Sequence, residues 1–284
     1  DSEAAAAFAK EVNVGQNIDI ASNGDVYNIL LIGSDTRNGW YGNSDSMILA
    51  SINSQTKTIY MTSFMRDLYA NIPNVGIRKL NSAYAVGGGP LLVSTIESNY
   101  RVDIDNYASV DFSSMANIID LVGGVDLEVS TQEAGYINMY LDEQCGLQGL
   151  NASDYYVTGG GITHLNGNQA VGFARIRYTS RGNEHSDYGR TSRQREILVQ
   201  LMQKARSLDA TTLLAVVNNM LPLITHNIDA ATLTNLIANA PSYINYDIQT
   251  DRIPYDGLYS NLGEELVPDF EATINRLHQT IYGN

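Results

Sequence analysis

The sequence predicts an α/β protein, a single layered α-β-α domain with a central mixed β-sheet flanked by helices. Short apolar runs typical of buried strands alternate with helical patterns along the chain. The 284 residues, 44% of them hydrophobic, are enough to bury one substantial core. No internal repeat divides the sequence. We expect an N-terminal linker over residues 1–25 and one domain over 26–284, with a helical C-terminal part from about residue 207.

The first predicted elements follow from composition and from turn residues. Alanines over Glu3–Val12 indicate a short helix, and the apolar run Val26–Gly33 indicates a buried strand that ends in a loop. After a loop rich in Gly, Asn, Asp and Ser, the segments Met47–Ile52 and Thr58–Ser63 flank a short turn. They therefore predict a β-hairpin.

The rest of the chain alternates between the same two patterns. Further helices are predicted at Lys79–Val86, Pro90–Tyr100, Phe112–Val122, Ala210–Leu221, Ala230–Ala238 and Val267–Tyr282. Further strands are predicted at Tyr107–Asp111, Gly123–Val129 and Tyr246–Ile253. Residues Thr131–Gly161 are rich in Gly and Tyr and have weak periodicity, so we expect a long surface excursion there.

Composition excludes several classes of function. The formal net charge is −14, which argues against sequence-independent binding of nucleic acid, and no helix-turn-helix pattern is present. Cys145 is the single cysteine, so the sequence contains no intramolecular disulfide and no thiolate metal cluster. No run of 18 apolar residues is present that would span a bilayer.

Against this acidic background, basic residues concentrate in residues 164–206. Six of the 13 arginines lie there within 21 residues, whereas the whole chain has four lysines. These arginines are Arg175, Arg177, Arg181, Arg190, Arg193 and Arg195. The planar guanidinium fork matches carboxylate and phosphate geometry, so the cluster indicates a site for anionic oxygen atoms.

The spacing of these arginines suggests how the site is built. If the R-I-R triplet is extended, Arg175 and Arg177 share one face and Ile176 lies on the other. Arg190 and Gln194 fall at helical spacing farther along. The alternative is a solvated helix with surface ion pairs, for instance between Arg193 and Glu196.

Carboxylates at strand ends are the candidates for a metal site. Asp35 follows the first predicted strand and Asp45 precedes the next, so both lie at one edge if these strands pair. Two carboxylates near phosphate oxygens suit Mg²⁺ (or Mn²⁺), although Asp is equally common in turns and caps. Asp67, beside Arg66, has either a structural role in an ion pair or a catalytic role.

Several motifs occur in an order that resembles the LytR-CpsA-Psr family of bacterial cell-surface phosphotransferases. The matching strings are NILLIGSDTR, NSDSMILASINSQTKTIYMTSFMRD, KLNSAYAVGG, YASVDF, LVGGVDLEV, HLNGNQAVGFARIRY and DYGRTSRQREI. They cover roughly Val26–Arg206, and the LPLI and VPDFEATINRLHQTIYG segments resemble the C-terminal part of the LytR branch.

The resemblance implies a role for individual residues. Asp35 and Asp45 match the aspartates that hold Mg²⁺. The expected diphosphate contacts come from matching basic and amide residues, namely Arg37, Arg66, Arg175, Arg177, Arg190 and Gln194. The expected catalytic residues are Arg66, Asp67, Arg175 and Asp187, with Asp187 beside Arg190 as an orienting partner or proton acceptor. Many members have an arginine at the position of Asn43; here that phosphate contact is either missing or supplied by Arg37 or Arg181.

The resemblance also implies a reaction and a setting. We expect a monomer on the extracellular face of the bacterial cytoplasmic membrane, held by a single N-terminal anchor outside this sequence, with residues 1–25 next to that membrane. It would move a glycopolymer, such as teichoic acid or capsule, from a polyprenyl-diphosphate carrier onto a peptidoglycan hydroxyl. The lipid would lie between the sheet and the helices at Ser94–Tyr100 and Phe112–Val122. The alternatives are a diphosphate hydrolase and a non-catalytic protein that binds the carrier or the polymer.

Overall fold

A computed structural model describes residues 2–35, 42–182 and 184–283. Its α-helices are α1 (Ser2–Gly15), α2 (Ser82–Tyr100), α3 (Phe112–Leu121), α4 (Thr131–Gln148), α5 (Gly167–Ala174), α6 (Ser186–Arg206), α7 (Ala210–Met220), α8 (Ala230–Tyr243) and α9 (Phe270–Tyr282). Its strands are β1 (Val26–Ser34), β2 (Ser44–Asn53), β3 (Thr58–Phe64), β4 (Tyr69–Ile72), β5 (Gly76–Lys79), β6 (Asn106–Asp111), β7 (Val125–Val129), β8 (Gly161–Leu165), β9 (Thr225–His226), β10 (Asp247–Ile253), β11 (Tyr259–Leu262) and β12 (Glu265–Pro268). The part of the chain described contains no helix that is both long and apolar enough to cross a bilayer.

The chain forms two compact units that are interleaved in sequence. Unit 1 consists of Asp1–Ser109, Thr225–Leu236 and Tyr246–Asn284. Unit 2 consists of Val110–Ile224 and Ile237–Asn245. The predicted limits of the linker at 1–25 and of the domain at 26–284 stay a prediction.

The central sheet is mixed, as the sequence predicts. Within the described residues its strand order is β10-β3-β2-β1-β6-β9. The predicted hairpin is confirmed, since β2 pairs antiparallel with β3, and β1 pairs antiparallel with β2. At the edge, β10 runs parallel to β3, with Asp247 opposite Thr58. The α/β fold class is therefore confirmed.

The core of unit 1 lies between this sheet and the helices α1, α2 and α9. Alternate residues of β1 are buried, among them Leu30, which is fully shielded from solvent. Aromatic side chains connect the layers: Phe64 of β3 meets Tyr100 of α2, whose ring contacts Phe270 of α9, with ring centroids 4.9 and 5.5 Å apart. Phe8 of α1 is buried against Phe270.

The predicted break between two helices near residues 87–90 is present as a kink inside α2. Gly87 and Gly88 have non-helical backbone angles, and Gly88 has φ 63° and ψ −157°, a conformation that favours glycine. Pro90 then opens the second helical segment, as its fixed φ favours. The first segment begins at Ser82 rather than Lys79, because Lys79 ends strand β5.

Unit 2 has its own core, formed by α3, α4, α5, α6 and the antiparallel pair of strands β7 and β8. The buried apolar residues at its centre are Ile119, Val125, Leu127, Ile137, Leu141, Phe173, Ile176 and Ile197. Strand β7 confirms the strand predicted from GGVDLEV, and β8 supplies its antiparallel partner. This core supports the segment that carries most of the predicted arginine site.

The surface excursion predicted for Thr131–Gly161 is wrong. Residues 131–148 form α4, which begins at a capping box between Ser130 and Glu133 and ends at Gly149 in the left-handed conformation. Ala134, Ile137 and Leu141 are buried at helical spacing. Glycines and polar residues among these positions weaken the periodicity in the sequence and hide the helix.

Candidate functional site

A β-bulge places the two predicted metal ligands at one end of the sheet. Gly33 of β1 lies opposite Ser46 of β2, and the next residue, Ser34, lies opposite Ser44. Asp45 is therefore an extra residue on β2, and Asp35 directly follows the last paired residue of β1. A bulge of this kind redirects a side chain at a sheet end. The predicted edge thus carries both carboxylates.

Arg66 lies beside this bulge, just beyond the end of β3. Its Nη1 atom is 3.7 Å from Oδ1 of Asp45, and its Nε atom is 3.4 Å from Oδ2 of Asp67. Its side chain is 24% exposed, so solvent or a ligand can reach the guanidinium. The backbone is fixed as well, because the Arg66 carbonyl accepts a hydrogen bond from the Asn81 N–H at 3.3 Å.

Asp67 forms a second ion pair that sequence reasoning missed. The Nζ atom of Lys79 is 3.0 Å from Oδ1 of Asp67. Burial lowers the pKa of Lys79, but the hydrogen bonds and charges of Asp67 and Glu264 together outweigh burial and raise the pKa above its ordinary value. Asp67 thus bridges Lys79 and Arg66, which favours the structural role over the catalytic one. No spacing signals Lys79; strand register places it opposite Tyr69.

Arg175 lies at the C-terminal end of α5, not in an extended strand. The condition considered for the R-I-R triplet, an extended backbone, is not met at Arg175, which has helical φ and ψ of −91° and −9°. The guanidinium carbon is 4.7 Å from the ring centroid of Phe112 and 5.0 Å from that of Tyr140. Among the described residues, no carboxylate lies within ion-pair distance of this cation.

Two other predicted arginines meet at one carboxylate. The Nε atom of Arg177 and the Nη2 atom of Arg190 are each 3.6 Å from Oδ1 of Asp187. Asp187 is in the first turn of α6, where three residues of helix bring it beside Arg190, as predicted. Arg190 is 2% exposed, whereas Arg177 is 36% exposed. The half-buried Gln194 follows one turn later, on the Arg190 side of the helix.

The remaining arginines of the cluster stabilise unit 2 instead of facing a ligand. Arg193 is fully buried, and its Nε atom is 2.9 Å from Oε1 of Glu133. Its two other nitrogen atoms donate to the carbonyls of Ile176, Thr179 and Ser180 at 3.0–3.2 Å. The ion pair considered from the sequence, between Arg193 and Glu196, is wrong, because Arg193 pairs with Glu133.

Arg181, rather than Arg193, forms the ion pair with Glu196. Its Nε atom is 2.9 Å from Oε1 of Glu196, and its Nη1 atom is 3.4 Å from Oε2 of Glu133. Arg195 similarly pairs with Glu184 at 3.5 Å. Arg181 is therefore engaged in structure and is a poor replacement for the contact absent at Asn43. The other suggested replacement, Arg37, lies outside the described residues.

Glu133 is the carboxylate at the centre of this buried network. Burial raises its pKa, but hydrogen bonds from Ser130 and Arg193 outweigh burial and hold the pKa below its ordinary value. Its Oε2 atom accepts the Ser130 N–H at 2.9 Å in the capping box of α4. The network thus joins the start of α4 to the segment that follows the R-I-R triplet.

Comparison with known proteins agrees with this arrangement of motifs. A family model described as LytR_cpsA_psr matches residues 1–276 of the chain. The chain belongs to the LytR-CpsA-Psr family. The family resemblance predicted from the sequence is thereby confirmed.

Curated relatives of this family member are about a third identical to it over the aligned residues. It is 37% identical to the polyisoprenyl-teichoic acid–peptidoglycan teichoic acid transferase TagU of Oceanobacillus iheyensis, over 66% of this chain and 54% of TagU. It is 29% identical to Biofilm regulatory protein A of Streptococcus mutans, over 72% of this chain and 50% of that protein. The chain spans about half the length of these relatives.

Solved structures share the fold over nearly the whole chain. The crystal structure of protein gbs0355 from Streptococcus agalactiae aligns with a TM-score of 0.72 at 26% identity, covering 90% of this chain and 88% of that one. TagT bound to LIIa-WTA aligns with a TM-score of 0.69 at 22% identity, covering 95% and 96%. YwtF (TagT) with bound octaprenyl pyrophosphate lipid gives 0.65 at 21% identity, covering 95% and 96%. At 22% and 21% identity, the two TagT structures show that this chain shares their fold.

Proposed function

We propose that this chain is a glycopolymer transferase of the bacterial cell wall. It moves a glycopolymer from a polyprenyl-diphosphate carrier onto a hydroxyl of peptidoglycan, on the extracellular face of the cytoplasmic membrane. Support comes from the name of its relative TagU, a teichoic acid–peptidoglycan transferase, and from TagT structures that hold a pyrophosphate lipid. The setting as an anchored, monomeric extracellular domain is part of the same proposal.

The observation that carries the proposal is the environment of Arg175. Its guanidinium lies against Phe112 and Tyr140, and no described carboxylate neutralises it, although acidic residues outnumber basic ones by 31 to 17 in this protein. Stacking on two rings orients the planar fork and removes part of its water. Such a cation is suited to binding an anionic oxygen of a phosphate.

Neighbouring groups in unit 2 extend this anion site. Arg177 and Arg190 both contact Asp187, so this carboxylate holds two guanidinium groups close together. We assign Arg177, Arg190 and Gln194 to the diphosphate, with Asp187 orienting the two guanidinium groups. Phosphoryl transfer needs charge neutralisation and alignment more than covalent help, which is what such groups supply.

We assign a divalent cation to the bulge in unit 1. Asp35 and Asp45 present hard oxygen ligands at one strand end, the ligand type that Mg²⁺ and Mn²⁺ take, and Arg66 next to Asp45 is a candidate for a phosphate oxygen. A bound Mg²⁺ would supply charge neutralisation at the phosphate. That Asp35 and Asp45 act with the arginines of unit 2 on one diphosphate stays a prediction. The expected position of the lipid between the sheet and the helices stays a prediction as well.

In the proposed reaction, an acceptor hydroxyl oxygen attacks the phosphorus next to the sugar. A new oxygen–phosphorus bond forms, and the bond between the two phosphates breaks, so that polyprenyl phosphate leaves. The hydroxyl proton passes to a carboxylate, for which Asp187 is the candidate in unit 2. Asp67 is the weaker candidate, because Lys79 and Arg66 already hold its two oxygens.

A binding and transfer experiment tests the proposal. Arg175→Ala and Arg175→Lys should each bind a polyprenyl diphosphate at least about tenfold more weakly than wild type, because a lysine cannot reproduce a stacked, forked donor. Arg276→Ala is the control, since Arg276 is a half-exposed arginine paired with Asp251 in unit 1. Unchanged binding in both Arg175 variants would refute the assigned role.

Radiolabelled lipid-linked polymer distinguishes transfer from the alternatives. With peptidoglycan present, label should move onto the wall; without it, little free phosphopolymer should accumulate. Release of label to water at equal rates in both reactions would establish a hydrolase. Binding without any turnover in the presence of Mg²⁺ would establish a carrier-binding protein.

A further inference from the structure

An exposed aromatic surface lies beside Arg175 in unit 2. Tyr178 and Tyr136 stack with ring centroids 5.8 Å apart and planes inclined by 35°. The side chain of Tyr178 is 80% exposed, and that of Met139, one turn along α4 from Tyr136, is 66% exposed. We call these three residues the tyrosine platform. Exposed apolar groups that adjoin one another mark binding surfaces more often than isolated ones do.

The platform is held rigidly. Tyr178 lies in the segment whose carbonyls, at Ile176, Thr179 and Ser180, all accept hydrogen bonds from buried Arg193. The Thr179 hydroxyl also donates to the Gln132 side chain of α4 at 3.0 Å. Tyr178 is therefore presented to solvent by a fixed backbone, and a rigid aromatic side chain loses little entropy when it binds.

Its position ties the platform to the anion site. Tyr140 follows Tyr136 by one turn of α4, and the Arg175 guanidinium lies 5.0 Å from the Tyr140 ring. One face of α4 thus passes from the Tyr140 ring, which contacts Arg175, to the partly buried Tyr136 and the exposed Tyr178 that packs on it. A ligand group joined to, or reacting with, a phosphate bound by Arg175 lies within reach of the platform.

The charge around the platform selects among the ligands. Helix α4 contains no lysine or arginine, and its exposed Asp142 and Glu143 lie in the turn that follows Tyr140. The partly exposed Arg177 precedes Tyr178, but a polyanionic teichoic acid chain that lay along α4 would be repelled by these carboxylates. An uncharged saccharide would not, and the CH-rich face of a pyranose ring packs on an aromatic face while its hydroxyls stay hydrated.

We propose that the tyrosine platform binds the sugar rings of the peptidoglycan glycan strand, the acceptor of the reaction. This inference rests on the proposed function, because it names the acceptor side of the same site. Tyr178 provides the outer stacking face and Tyr136 supports it from below. The platform thereby places a sugar hydroxyl near the phosphate that Arg175 binds.

The first experiment measures binding of chitotetraose, an uncharged β-1,4-linked oligomer of N-acetylglucosamine, by isothermal titration or NMR. Tyr178→Ala should weaken binding at least about tenfold, and Tyr178→Phe, which keeps the ring, should stay within about twofold of wild type. Ile162→Ala is the matched control, because Ile162 is 75% exposed on β8 of the same unit. Equal affinities for wild type and Tyr178→Ala, or no binding by wild type, would overturn the platform.

Two further measurements separate this inference from the proposed function. Tyr178→Ala should raise the KM for a soluble glycan acceptor while its affinity for polyprenyl diphosphate stays at the wild-type level. Chitotetraose binding through Tyr178 in a protein that transfers nothing would leave the platform standing and reject the transferase. If Tyr178→Ala instead loses affinity for a poly(glycerol phosphate) chain and not for chitotetraose, the assignment to an uncharged acceptor is wrong.

Discussion

Removing the charge of Arg193 should destabilise unit 2 strongly. The guanidinium is fully buried, pairs with a Glu133 side chain that is 2% exposed, and donates to three backbone carbonyls. In Arg193→Met the apolar volume is largely kept, but Glu133 retains only a 3.4 Å contact with Arg181 besides its capping bonds. Breaking a buried pair by removing one partner costs about 3–5 kcal/mol, which is our expected loss in free energy of unfolding.

The assay is urea unfolding followed by circular dichroism at neutral pH. The matched control is Lys204→Met on the same helix, because Lys204 pairs with Asp126 at a surface where both side chains are partly exposed. Such a pair contributes about 0–1 kcal/mol. An Arg193→Met protein within about 1 kcal/mol of wild type would refute the role of the buried network.

The same network predicts a pH dependence with a definite sign. The folded-state pKa of Glu133 lies below the ordinary value of 4.5. Its contribution to stability is therefore present above about pH 4.5 and is lost as the pH falls through the lower folded-state pKa. Wild type should lose more stability than Glu133→Gln over that acidic interval. Parallel stability curves for the two proteins would contradict the prediction.

Three further predictions concern the site and its support. Asp45→Asn should abolish the stimulation of transfer by Mg²⁺, measured by titrating the metal; a retained response would exclude Asp45 as a ligand. Tyr140→Leu should weaken polyprenyl-diphosphate binding about twofold to thirtyfold, since a cation–π contact contributes about 0.5–2 kcal/mol, and unchanged affinity would show that the ring does not matter. Ile137→Ala should lower the free energy of unfolding by about 2–5 kcal/mol, because Ile137 is fully buried; a loss below about 1 kcal/mol would contradict the core position of α4.

Local pattern was enough to predict the sheet and many of its neighbours. The hairpin of β2 and β3 follows from two apolar runs around a polar turn, and β10 from a single run near residue 250. Both signals depend on residues close in sequence. The same holds for Asp187 beside Arg190, because three residues of helix fix that distance.

Features that depend on distant residues were not visible in the sequence. The rings around Arg175 come from two other helices, and Lys79 reaches Asp67 through strand register. The arginine cluster contains both structural arginines and candidate ligand-binding arginines, and the sequence does not distinguish them. Arg193 is structural because it pairs with Glu133, which is distant in the sequence. Helix α4 was missed because Gly135 and Gly146 dilute its apolar spacing.

The interleaved order of the two units has a consequence during synthesis. The outer side of β3 acquires its neighbour only when Asp247–Ile253 has emerged, after residues 110–224 are complete. A polypeptide stopped after Arg206 would leave that backbone edge open to another chain, the arrangement that seeds aggregation. Chaperoning of the nascent protein is therefore needed most in the interval before its final stretch arrives.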